Sequence, residues 1–103
     1  MTEKSYYLTT AKYDNQLYFY LEITDKNLTE FFSLENNKTY FERTKRNTLE
    51  DVNNLINRHI SKYSNKNKQI KHKIANKREF KQFLKNYFPY ELKFYNFTGD
   101  IND

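Results

Sequence analysis

Between Arg46 and Leu49 the hydrophobic period of the chain changes from two to 3.6, which bounds the fold more tightly than any other feature. Before the change, Leu17, Phe19, Leu21 and Ile23 alternate with Tyr18, Tyr20, Glu22 and Thr24. The Tyr- and Thr-rich run Ser5 to Tyr13 precedes them across Asp14-Asn15-Gln16, so the pair predicts a β-hairpin. Phe31 to Leu34 and Thr39 to Arg43, either side of Glu35 to Lys38, predict a second hairpin.

After the change, Leu49, Val52, Leu55, Ile56, His59, Ile60 and Tyr63 share one helical stripe. Thr48 is the natural N-cap, and Glu50 with Asp51 suits the positive end of the helix dipole. Gln69 to Ala75 alternates Ile70, His72 and Ile74 with Lys71 and Lys73, as an edge strand does, although a helix also fits. Asn76 with Glu79 forms a second cap, followed by Phe80, Phe83, Leu84, Tyr87 and Phe88 at helical spacing. Pro89 ends that helix, and alternation from Tyr90 to Thr98 predicts a closing strand.

The expected fold is therefore α+β, in the order βββ(β)αβαβ. A small antiparallel β-sheet of about four to six strands carries two amphipathic helices on one face. One domain spans 1–103, with frayed ends at 1–4 and 99–103. Strict βα alternation is missing and Gly99 is the lone glycine, which argues against a doubly wound nucleotide-binding fold. Ten Tyr and nine Phe against one Val and two Ala mean that a few large rings supply most of the core.

No cysteine is present, which removes disulfides, thiolate metal sites and a cysteine nucleophile. The N-terminal residues lack an apolar leader and no apolar run is long enough to span a bilayer, so a cytoplasmic location is expected. Fourteen Lys to four Arg, with fourteen Asn, match AT-rich coding and suggest a low-GC bacterium, its phages or its mobile elements.

Charge is distributed unevenly. Arg58, Lys62, Lys66, Lys68, Lys71, Lys73, Lys77, Arg78, Lys81 and Lys85 face a single acid, Glu79, inside one stretch, while both flanks are acidic. Lys77, Lys81 and Lys85 repeat at i, i+4 and i+8 along one side of the second helix, and Arg58 and Lys62 do so on the first. If these cations line one surface, a polyanion relieves their repulsion. A solvated lysine-rich face produced by coding bias is the competing explanation. Tyr18 and Tyr20, opposite the Leu17 and Phe19 face, are the candidates for stacking on bases, unless they cover the second face of the sheet.

Catalytic patterns are weak. His59 and His72 are the only histidines; His59 lies on an apolar stripe, where packing is the commoner role, and His72 sits among lysines. HExxH, an Asp-rich calcium loop and GxSxG are all missing, so no metal or cofactor is expected. The expectation is a non-enzymatic binding protein, of the phage or mobile-element accessory or anti-defence inhibitor kind. It docks through residues 58–85 on nucleic acid or on an acidic surface of a nucleic-acid-handling complex. The rivals are a small basic ribonuclease-type toxin and a protein inhibitor that uses an aromatic sheet face.

Overall fold

The computed structural model describes residues 3–32, 35–64 and 69–97. Its elements are β1 (Ser5–Tyr13), β2 (Gln16–Thr24), β3 (Thr39–Arg46), α1 (Leu49–Tyr63), β4 (Lys71–Ile74), α2 (Lys77–Tyr87) and α3 (Pro89–Leu92). The class is α+β, built on a four-stranded sheet in the order β3-β1-β2-β4.

The β1–β2 hairpin forms in the register that the alternation implies, with Leu8 opposite Leu21 and Tyr13 opposite Gln16. Asp14 sits at φ 55°, a left-handed conformation that aspartate tolerates better than most residues, so the tight turn forms without glycine. β3 pairs antiparallel along the other side of β1, from Tyr6 opposite Arg46 to Tyr13 opposite Thr39.

β4 runs parallel to β2, so the sheet is mixed and not wholly antiparallel. The cause is α1: its passage over the sheet returns the chain to the far edge in the same direction as β3, and hence of β2.

The two long helices lie on opposite faces and not on one. Leu8, Leu17 and Phe19 pack with Val52, Leu55 and Ile56 of α1, together with Ile70. Ala11 and Phe41, of the other strand parity, pack with Phe80, Phe83 and Leu84 of α2 and with Phe88, Tyr95 and Phe97. Tyr18 and Tyr20 cause the difference, because these amphipathic rings look like a solvent face in sequence yet form the floor for α2.

α1 starts where expected, with the Thr48 hydroxyl accepting from the Asp51 backbone N–H at 3.1 Å. α2 has a complete capping box: Asn76 Oδ1 accepts from Glu79 N–H at 2.9 Å, and Glu79 Oε1 accepts from Asn76 N–H at 3.0 Å.

The second hairpin reduces to one bridge between Phe31 and Arg43, whose backbones exchange hydrogen bonds of 3.0 Å. Thr39–Arg46 pairs with β1 instead, where an eight-residue ladder outcompetes a short local one. The closing strand is replaced by α3, with Pro89 in its first turn, followed by a segment that buries Tyr95 and Phe97. Ser33, Leu34, Lys66, Lys68, Thr98 and the tail 99–103 lie outside the described residues, as do Met1 and Thr2 of the N-terminal end. Among the described residues no helix is long and apolar enough to cross a membrane.

Candidate anion-binding surface

Burial of Phe80, Phe83 and Leu84 fixes the rotation of α2, and with it the side on which its cations stand. Lys81 and Lys85 border an open cleft of about 500 Å³ that Leu92, Lys93 and Asn96 also line, with the buried Tyr95 and Phe97 as its floor. Three lysines from two segments therefore converge on one depression. Lys81 Nζ lies 5.1 Å above the Phe97 ring, a cation–π contact that holds its stem over the floor.

The floor is itself anchored from below. Tyr95 Oη donates to Glu22 Oε1 at 3.0 Å and accepts from Thr9 Oγ1 at 2.6 Å. Burial, reinforced by the Glu22 carboxylate, pushes the Tyr95 phenol far above its ordinary range, so it stays neutral and serves as structure. The cleft thus offers ammonium charge and a carboxamide, a set suited to binding an anion.

The register places Lys71 opposite Gln16 and Lys73 opposite Tyr18, so both lysines belong to the α2 face of the sheet. Arg78 is exposed on α2, and Lys77 is half-buried at its start. Lys73 is ion-paired with Glu79, the one acid of the basic stretch, which raises the lysine and lowers the carboxyl from their ordinary values.

Arg58 and Lys62 are elsewhere, on α1 and across the sheet. Lys62 Nζ is 3.0 Å from Glu35 Oε1, and that hydrogen bond lowers the Glu35 carboxyl. Arg58 shares an open depression with Arg46, Asn54 and Asn57. The basic stretch consequently divides between two faces and does not form one surface; Lys66 and Lys68 lie outside the described residues.

Tyr18 stacks on Phe83 with ring centroids 4.1 Å apart, and Tyr20 on Phe80 at 5.3 Å. One face of each ring is therefore covered by α2, and both tyrosines are half-buried against the core beneath that helix.

His59 is buried between Phe19, Tyr40 and Tyr63. Desolvation, then the charges of Lys62, Arg58 and Arg46, lowers its pKa to about 4, so the imidazole is neutral near pH 7. Its Nε2 is 3.8 Å from Glu42 Oε2, beyond hydrogen-bond reach. His72 stands apart, exposed on β4. Among the described residues no three His, Asp or Glu side chains gather to hold a metal ion.

Sequence reasoning missed Lys93, Asn96 and Phe97. Lys93 falls in an acidic flank, and only the turn that begins at Pro89 brings it to the cleft that Lys85 lines. A proline followed within a few residues by a lysine, after a lysine-rowed helix, was the available hint. Compared with known proteins, the chain matches no family model, no curated protein and no solved structure.

Proposed function

We propose that this chain is a non-enzymatic binding protein that holds nucleic acid by its phosphates along the α2 side of the sheet, centred on Lys81, Lys85 and Lys93. The observation that carries this reading is that all three lysines line one open cleft. On the same face of the sheet stand Lys71, Lys77 at the start of α2, and Arg78, which lines a separate depression with Gln16 and Tyr18. Five of these six cations are lysines, which meet phosphates as point charges and lack the planar fork that reads guanine. Binding is accordingly insensitive to base sequence.

The aromatic floor does not serve as a stacking platform. Tyr95 is 5% exposed and Phe97 6%, too little for a base to lie on either ring. Contacts are to the backbone, with strong salt dependence. A small protein that covers phosphates without cutting them suits an accessory or inhibitor of a phage or mobile element acting in the cytoplasm. That part of the proposal rests on the lysine- and asparagine-rich coding bias.

The test is fluorescence anisotropy with a labelled 20-nucleotide single strand and the matching duplex across a salt series. Changing Lys81, Lys85 and Lys93 together to Gln is expected to weaken binding for every sequence. The log K against log salt slope should flatten by about 0.7 to 0.9 per lost contact. Urea stability should stay within about 0.5 kcal/mol, because the changes are at the surface. Unchanged affinity overturns the proposal. So does a native complex that survives nuclease while the isolated protein binds neither probe, since the anion is then a protein surface.

A further inference from the structure

On its other side α3 borders a second depression, of opposite chemistry. Phe31, Phe32, Tyr90 and Phe94 line a groove of about 400 Å³ together with Glu30 and Glu91. Three of the rings are well exposed, Phe32 at 83%, Tyr90 at 67% and Phe94 at 57%, and Tyr90 meets Phe94 edge-on at 5.3 Å. Clustered large apolar side chains on a surface mark an interaction site more often than scattered ones do. The two carboxylates make this the acidic counterpart of the lysine cleft, in a chain of net charge +5.

Charge and shape select the occupant. A phosphate-bearing ligand is repelled by Glu30 and Glu91, and a purely aliphatic one strips water from those carboxylates without replacing it. Guanidinium satisfies both parts, because its plane stacks on rings while its N–H groups donate to carboxylates. The protein uses this chemistry in its own interior. Arg43 lies 5.0 Å over the Phe31 ring and 4.5 Å over Tyr95, with Glu22 Oε1 3.5 Å from its Nη1. Phe31 thus belongs both to a buried arginine site and to the wall of the exposed groove.

We propose that this groove binds an arginine side chain presented by an extended segment of a partner protein. The volume sits at the low end for a small-ligand pocket, enough for one long side chain with its flank and too small for a helix face. Leu92 and Lys93 face the lysine cleft while Tyr90, Glu91 and Phe94 face this groove, so α3 separates an anion-binding side from a cation-binding one. The proposal is independent of the phosphate-binding reading.

The test is an NMR titration of the ¹⁵N-labelled full chain with a capped heptapeptide centred on Leu-Arg-Leu, and with versions carrying citrulline or glutamate in place of arginine. Arginine peptide is expected to shift the amides of Phe31, Tyr90, Glu91 and Phe94. Citrulline, which keeps the shape and loses the charge, should bind at least about tenfold more weakly, and glutamate more weakly still. Glu30→Gln with Glu91→Gln, or Phe94→Ala alone, should each reproduce a loss of that size. Phe94 is exposed enough that its truncation leaves the fold intact. Lys81, Lys85 and Lys93 changed to Gln should leave peptide binding unaltered, which keeps the outcome separate from that of the phosphate test. Absent binding, equal binding of citrulline peptide, or persistence in the double Gln variant overturns the proposal. Concentration-dependent broadening of the same amides without peptide also overturns it, because a second copy of the chain then covers the groove.

Discussion

Arg43 Nη1 and Glu22 Oε1 lie 3.5 Å apart on the α2 face, with both side chains 1% exposed. Arg43 has other partners: its Nε donates to the Thr29 carbonyl at 2.7 Å and its Nη1 to the Asn96 carbonyl at 3.1 Å. One guanidinium therefore ties β3 to the segment before Phe31 and to the segment after α3. Removing a single partner from a buried pair strands a charge. Glu22→Gln and Arg43→Met are each expected to cost about 3 to 5 kcal/mol in urea unfolding. The double variant should cost clearly less than the two together, and strict additivity would show that the pair is not coupled.

His59 makes stability depend on pH in a defined direction. Its folded pKa is about 4, below the ordinary 6.5, because burial disfavours the imidazolium. The unfolded chain takes up a proton near pH 6.5 and the folded chain only near 4. Unfolding therefore binds protons between those values, and stability falls as pH drops through the window. The contribution is complete above pH 6.5 and lost by about pH 4. In His59→Leu the slope of unfolding free energy across this window should fall by up to about 1.4 kcal/mol per pH unit. Equal slopes in the two proteins would mean that His59 is solvated.

The two helix faces can be tested against each other. Phe83 stacks on Tyr18 beneath α2, and Ile56 packs with Leu17 and Phe19 beneath α1. Phe83→Ala and Ile56→Ala should each destabilise by about 2 to 5 kcal/mol. Because the sheet separates them, the double variant should be additive within about 0.5 kcal/mol. Helices sharing one face would instead show coupling well above that.

Local patterns carried most of what the sequence reveals about this fold. The hairpin, both capped helices and the lysine-flanked edge strand are each written in one continuous run of sequence, where periodicity and capping chemistry suffice. Direction and facing are not local properties. The parallel run of β4 depends on where α1 crosses, and the burial of Tyr18 and Tyr20 depends on α2, which is sixty positions further on. Glu22 sits among the outward-seeming residues of β2, and nothing near it foretells Arg43. The site follows the same rule: the helix row of Lys81 and Lys85 is legible from spacing, whereas Lys93 joins it only through tertiary folding.

The pairing of β2 with β4 has a consequence for how the chain assembles. Gln16 meets Lys71 half the chain away, so this parallel ladder closes the largest loop in the sheet, whereas β1 and β2 form a local hairpin and β3 returns to β1 over the shorter spans from Tyr13–Thr39 to Tyr6–Arg46. During synthesis the three antiparallel strands β1, β2 and β3 emerge first, with Tyr18, Tyr20 and Phe41 bare until Phe80, Phe83 and Phe88 follow from the ribosome. A nascent chain halted after α1 presents this ring-lined sheet to its surroundings, and the window between those two events is when the protein is most prone to aggregate.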